Sequence, residues 1–236
     1  LAGGFLKISR IKGVSRPALS PFMPTKVGGQ VLLIDCGANM DANALNLCHF
    51  AAMGSAYYTC VTKKENPRVA LLNVGTENHK GNELCKEVFP MLQKMNINFV
   101  GNMEARDIMS GKYDVVVADG FAGNVLLKST EGALKLMLEE LKDMFVQNVL
   151  TKLGALTMKK SLKKMKNVYD FDAYGGSPFL GCKKIIIKSH GSSKVTAIVA
   201  SINQILALYK NQINDIIENS VKEVTLENLK GEVNDN

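Results

Sequence analysis

The chain has 236 residues, of which 46% are hydrophobic, with mean hydropathy +0.02 and formal net charge +7. This composition excludes a disordered or fibrous chain and allows one large core or two small ones. No apolar run approaches bilayer length, and the absence of Trp, with no aromatics interleaved among the basic residues, argues against a transmembrane helix and a nucleic-acid platform respectively.

Leu1 to Lys7 contains no initiator Met and no basic region followed by a cleavage site, so it does not read as a signal peptide. It reads as the inside of a helix, as though the chain starts partway through a fold. Arg16 to Pro24 carries Pro17, Pro21 and Pro24 and predicts an extended connector. Val31 to Asp35 is a short apolar run of the kind seen in buried parallel strands, ending in Cys36-Gly37-Ala38-Asn39. A helix is expected over 41–62, a strand over 68–75, a helix over 81–95, and strands over 97–101 and 114–120. A long helix is expected to start near Asn124, followed later by a strand over 184–188 and a helix over 195–218. Strands alternating with helices predict an α/β fold with a mostly parallel sheet covered on both faces. Ligands in such folds bind beyond the carboxyl ends of the strands, which directs attention to the loops there.

The five cysteines, Cys36, Cys48, Cys60, Cys85 and Cys182, are odd in number and lack CxxC spacing. They read as buried thiols in a reducing cytosol, not as a disulfide framework or a zinc site.

Three loops carry candidate chemistry. Gly120-Phe121-Ala122-Gly123-Asn124 follows an apolar run and opens a helix, where glycines allow close approach and free N–H groups favour an anion. It is neither a dinucleotide fingerprint nor a Walker A loop, and a ligand-free tight turn is the competing reading. Gly75 to Glu83 places Lys80 just before a helix, either as a point charge for phosphate or as a solvated loop lysine; His79 reads as a surface residue. Ser189-His190-Gly191-Ser192-Ser193 offers an imidazole and hydroxyls before another helix, or simply an N-cap. No G-x-S-x-G elbow supports a Ser-His-Asp triad.

The segment 133–166 predicts an amphipathic helical hairpin. Leu134, Met137, Leu138, Leu141 and Phe145 share one helical face; Val149, Leu150, Leu153, Leu156 and Met158 then come with Lys152, Lys159, Lys160, Lys163, Lys164 and Lys166. Gly154 is the expected turn. An apolar stripe edged by lysines suits a membrane surface, and a hairpin packed on the body or on a second subunit is the alternative.

Taken together and in order, Ile34-Asp35-Cys36-Gly37-Ala38-Asn39, Glu65 to Gly75, Lys80-Gly81-Asn82-Glu83, Asp119 to Asn124, Tyr174-Gly175-Gly176 and Ser189 to Ser193 closely resemble the PlsX-type phosphate acyltransferases of bacterial phospholipid synthesis, from Leu1 to about Leu208. The resemblance implies a three-layer α/β/α Rossmann-like fold of the isopropylmalate dehydrogenase-like group, and a homodimer. It implies acyl transfer from acyl-[acyl carrier protein] to inorganic phosphate. It also implies cytoplasmic location with peripheral membrane attachment, and a membrane glycerol-3-phosphate acyltransferase that takes the acyl phosphate. The family pattern begins with a strand and a Gly-rich, Asp-containing loop upstream of the position of Leu1, so a sheet lacking those strands would carry an unpaired edge.

Phosphate is already a nucleophile, so such an enzyme must mainly position an anion against a thioester carbonyl and stabilise the oxyanion. On that footing Lys80 is expected to supply phosphate charge, Asn124 an amide donor, and His190 a proton for the leaving thiolate or an orienting contact. Asn39, Gly81, Asn82, Gly120, Phe121, Gly123 and Ser192 are expected to line the phosphate or acyl-phosphate site, with the backbone N–H groups of 120–124 forming a cradle. Val149, Leu150, Leu153 and Leu156 are the expected membrane contacts. The chemistry requires no metal or organic cofactor, and the basic surface suits an acidic carrier protein. The α/β catalytic unit is expected over 1–219, with a polar mobile tail over 220–236. A nicotinamide-linked dehydrogenase of the related fold and a non-catalytic membrane-associated module are the competing functions.

Overall fold

The computed structural model describes residues 7–169, 175–189, 193 and 195–230. Its main sheet has five strands: β2 (Phe22–Pro24), β3 (Gln30–Ile34), β6 (Val115–Val117), β4 (Val69–Asn73) and β5 (Phe99–Glu104), in that spatial order. The four from β3 to β5 run parallel, and β2 pairs antiparallel with β3 at one edge. Side chains alternate across the sheet as the two-residue period of a strand requires. Leu32, Ile34, Val69, Leu71, Val115 and Val117 face one hydrophobic layer, and Val31, Leu33, Ala70 and Val116 the other. Both faces are covered, which explains why these strands read as near-continuous apolar runs.

The first layer is built mainly by α1 (Ala44–Thr62), α2 (Glu83–Lys94) and α6 (Ile213–Val221). Helix α1 is enclosed on nearly all sides, so it shows little amphipathic pattern. Its start is set by a reciprocal cap between Asn43 and Asn46, and Gly54 lets it approach the sheet; a methyl group there would sit 2.8 Å from Val115. The second layer is thinner. Leu126 and Leu127 of α3 (Gly120–Val146) pack there with Ile108, just beyond the short 3₁₀ turn Ala105–Asp107. The chain is thus a three-layer α/β structure with a mixed, mostly parallel sheet.

A small antiparallel sheet joins β1 (Ala18–Leu19), β7 (Ser177–Leu180) and β8 (Ile187–Lys188). The remaining elements are α4 (Val149–Val168), α5 (Val195–Lys210) and α7 (Leu226–Lys230). Several expectations change. The proline-rich connector forms β1 and β2, with β2 at the edge of its sheet, where a strand tolerates proline. The helix expected over 195–218 breaks between α5 and α6, where Gln212 takes a left-handed backbone with φ 51°. The hairpin turns at Gln147–Asn148, where Asn148 caps α4 with Thr151, while Gly154 sits inside the helix. The expected helix over Leu1 to Lys7 falls outside the described residues except at Lys7.

The expected mobile tail is packed as far as Leu229. Val221, Val224 and Leu229 belong to the first hydrophobic layer, and Lys94 Nζ donates to the Leu229 carbonyl at 2.8 Å. Buried His49 ties this segment to the N-terminal part of the chain. Its Nε2 lies 2.8 Å from the Val224 carbonyl and must donate, so Nδ1 is the acceptor for the Ser15 N–H at 2.9 Å and for the Ser15 hydroxyl at 2.8 Å. At the amino ends of the strands, buried Asp114 receives Lys64 and Arg68 at 2.7 and 2.9 Å. Burial pushes its carboxyl upward, but these cations and the Arg68 N–H hold it well below the ordinary carboxylate range.

Burial also lowers the His49 pKa from 6.5, against the pull of the Val224 carbonyl. The folded chain therefore keeps His49 neutral at pH values where the unfolded chain protonates it. Stability is expected to fall as pH drops below about 6.5 toward the lower folded value. Denaturant titrations at several pH values should show that His49→Gln reduces this slope; an unaltered slope would exclude the assignment.

Candidate active site

The loops after β3, β4 and β6 emerge at the same end of the sheet. β3 and β4 lead into α1 and α2 on one face, whereas β6, lying between them, leads into α3 on the other. The chain reverses direction across β6, which creates a crevice at the strands' carboxyl ends.

Asp35, fully buried at the end of β3, organises one wall. Oδ1 accepts the Leu19 N–H at 2.8 Å and the Ala38 N–H at 3.2 Å. Oδ2 accepts from Ala38 N, Asn39 N and Asn39 Nδ2 at 3.1, 2.7 and 2.9 Å. Burial raises its pKa above the ordinary carboxylate value, opposed by these donors. The same Asn39 amide also donates to the Pro17 carbonyl at 2.8 Å. Asp35 thus fixes the loop 35–39 against β1.

That loop then seats α3. The Gly120 N–H donates to the Asn39 carbonyl at 2.8 Å, and a methyl group on Gly120 would come within 2.6 Å of the same oxygen. A methyl group on Gly123 would overlap the Asp35 carbonyl. Gly37, with φ 107°, brings its backbone against the Asn124 carboxamide. Asn39, Gly120, Gly123 and Asn124 are therefore brought together.

The expected backbone cradle is not available. Asp119 caps α3, and its Oδ1 accepts from Phe121 N and Ala122 N, both at 2.9 Å. Gly120 N is used by Asn39, and Gly123 N donates to the Asp119 carbonyl at 3.0 Å. The helix therefore begins at Gly120, with its first donors satisfied and a carboxylate at its cap. The half-buried Asn124 carboxamide, by contrast, has no hydrogen-bond partner among the described residues. Phe121 is exposed on the first turn.

Lys80, Gly81 and Asn82 occupy the adjacent loop after β4. Asn73 Nδ2 donates to the Lys80 carbonyl at 3.0 Å, and Asn102 Nδ2 donates to the Glu77 carbonyl at 2.8 Å. Lys80 is exposed; Gly81, with φ 101°, packs against the Asn73 side chain. Asn82 has a structural task, capping α2 by accepting the Cys85 N–H at 2.9 Å. Asp119 lies close enough to Cys85 to raise its pKa, after the larger effect of burial, which connects the starts of α2 and α3. His190 and Ser192 lie outside the described residues, as does Tyr174.

Sequence reasoning named neither Asp35, Asp119, Asn73 nor Asn102 as a site residue. For Asp35, Asn73 and Asp119 the usable signal was a polar residue at or just beyond the carboxyl end of an apolar strand; Asn102, inside β5, had no such signal. The thiols offer no activated nucleophile: burial pushes Cys48 up to about 12 and Cys182 up to about 11, and Cys36 well above its usual value. Among the described residues no three His, Cys, Asp or Glu side chains gather as a metal site.

Fold and crevice define an α/β protein whose strand-end loops carry the Asn124 amide and the exposed Lys80. Residues 1–216 match the family model described as fatty acid synthesis protein. The chain is 46% identical over 226 residues to the phosphate acyltransferase of Brevibacillus brevis, covering 96% of this chain and 68% of that protein. It is 47% identical over 223 residues to the phosphate acyltransferase of Clostridium novyi, covering 94% and 67%. Among solved structures it is similar to a phosphotransacetylase from Streptococcus pyogenes, with TM-score 0.46, 15% identity and coverage of 91% and 57%. The chain belongs to the fatty acid synthesis protein family and spans about two thirds of the length of these curated relatives.

Gly123→Ala is expected to destabilise the fold by roughly 1–3 kcal/mol, because the methyl group meets backbone that has little room to shift. Gly132→Ala in the same helix, where a methyl group meets open space, should be neutral or stabilising by up to about 1 kcal/mol. Chemical denaturation of both variants tests the contrast; equal effects would contradict the close packing of α3 on Asp35.

Proposed function

We propose that this chain is the larger part of a phosphate acyltransferase that makes acyl phosphate from acyl-[acyl carrier protein] and inorganic phosphate for phospholipid synthesis. The family match and the names of its relatives support this reading, and favour neither a dehydrogenase nor a non-catalytic module. The observation that carries it is the unpartnered Asn124 amide, fixed beside Gly37 at the mouth of the crevice while the backbone donors around it are engaged.

In this mechanism a phosphate oxygen attacks the thioester carbonyl carbon. The carbonyl becomes an oxyanion, then re-forms as the carbon–sulfur bond breaks and the carrier leaves as a thiolate. Asn124 donates to the phosphate or to the oxyanion, where a preorganised donor is most effective. Lys80 offsets the charge of phosphate from the neighbouring loop. Asn39 and the glycines at 81, 120 and 123 act by shaping the crevice, Asn82 by starting α2, and Phe121 by flanking the mouth. His190 protonates the thiolate or orients a reactant, and Ser192 contributes a hydroxyl to phosphate. The Asp119 carboxylate is kept from phosphate by its use as a cap. The enzyme belongs in this reading to the isopropylmalate dehydrogenase-like Rossmann group and works as a cytoplasmic homodimer.

The hairpin supports a peripheral membrane position. No helix among the described residues is long and apolar enough to cross a membrane. Leu134, Leu138, Leu141 and Phe145 are half-buried, as expected for the face toward α4, yet Val149, Leu150, Leu153 and Leu156 are 72, 79, 55 and 65% exposed around the tip. Such a tip suits the interface of an anionic membrane, close to the glycerol-3-phosphate acyltransferase that would take the product.

With full-length enzyme, acyl phosphate formation is expected to fall about 100-fold or more in Asn124→Ala, the scale of losing one oxyanion donor. Lys80→Ala should mainly raise the KM for phosphate. Normal turnover in the double variant would reject this site. Leu153→Glu is expected to reduce sedimentation with anionic vesicles; unchanged binding would instead favour a hairpin buried against protein.

A further inference from the structure

Helix α4 segregates its chemistry along its length. It carries six lysines and no acidic residue, and five of the lysines lie at or beyond Lys159. Its first turns carry the apolar tip. Near its other end, Lys160, Lys163, Lys164, Asn167 and Val168 line an open cleft of about 520 Å³, with Gly28 of the β2–β3 turn opposite. Among the described residues none of these three lysines has a carboxylate within 4.0 Å, whereas Lys64, Lys86, Lys112 and Lys128 each do. A concentration of unneutralised ammonium groups costs self-repulsion in the folded chain, and an anionic partner relieves it.

We infer that this lysine cleft is the docking surface for the acidic carrier protein that delivers the acyl thioester. The inference rests on the proposed acyl transfer and adds where the donor sits. The hairpin geometry supports it. Counting back from the turn at Gln147–Asn148 sets Lys163 level with residue 132 of α3, eight residues from Asn124. At 1.5 Å per residue that is roughly 12 Å of axial separation. A carrier seated on the lysines therefore holds its thioester arm, an extended flexible chain, within reach of the crevice. The lysines sit on the portion of α4 farthest from the apolar tip, so the carrier surface and the lipid surface occupy opposite ends of one helix. An acidic protein thus suits the cleft better than lipid headgroups do, and the charge would act chiefly through encounter rate and orientation.

The test uses full-length enzyme carrying Lys160→Glu, Lys163→Glu and Lys164→Glu together, and a second form carrying Lys→Arg at the same three positions. Direct titration with acyl carrier protein should show binding weakened about tenfold or more by the glutamates, retained by the arginines, and in the wild type weakened by added salt. Turnover of a carrier-free acyl-pantetheine thioester and binding to anionic vesicles should be unchanged in both. Carrier affinity equal to wild type in the glutamate form would overturn the inference, as would loss in the arginine form. Loss of vesicle binding with carrier affinity intact would assign the cleft to lipid instead. Absence of acyl phosphate from either donor in the wild type would sink the proposed reaction, while the binding titration would still decide the docking surface.

Discussion

The structure turns on a buried carboxylate. Asp35 accepts four donors, the Ala38 N–H shared between its two oxygens, which tie the end of β3 to β1 and to its own following loop. Burying an ionised carboxylate is costly unless its lone pairs are satisfied, so the donors and the carboxylate enforce one another. The consequences propagate outward. The ordered loop presents the Asn39 carbonyl to Gly120, and the Asp35 carbonyl leaves room only for glycine at 123. These backbone contacts seat helix α3, which places Asn124 beside Gly37. A site that works by positioning requires this kind of rigidity more than it requires an activated side chain.

How much of this was legible depended on whether the information was local. The apolar runs of β3, β4 and β6 declared themselves because both sheet faces are covered. Asn148 and Thr151 set the hairpin turn through a reciprocal cap, yet Gly154 was the louder signal; its glycine is simply tolerated in an exposed helix. The break at Gln212 had no Gly or Pro to announce it. The packed segment 221–229 was hidden because its few apolar residues, Val221, Val224 and Leu229, are scattered among polar ones and find their partners in α1 and α2.

The candidate site was legible as a set of loops and misleading in its atoms. Glycines before a helix suggested a phosphate cradle, but the same stretch begins with Asp119, whose side chain claims those N–H groups. An aspartate immediately before a helix is first of all a cap, and a capped terminus presents fewer donors and a negative charge. In the proposed mechanism the donor role passes to a side-chain amide one turn further along, that of Asn124. Likewise, Asn73 at the end of β4 and Asn102 inside β5 brace the Lys80 loop through its carbonyls, partners that no local pattern identifies.

The hairpin extends the same logic beyond the crevice. Its half-buried residues close α3 on α4, and what remains exposed divides into an apolar tip and a cationic base. A phosphate-using enzyme with such a surface would offer an anion two places, the crevice with Asn124 and Lys80 and the lysine cleft, and only one can be the reaction site. The decisive measurement is a titration of the full-length protein with inorganic phosphate, followed by side-chain amide and lysine ammonium NMR signals. The account predicts saturable shifts at Asn124 and Lys80 with little change at Lys160, Lys163 and Lys164. Shifts confined to the lysine cleft, or none at Asn124, would contradict it.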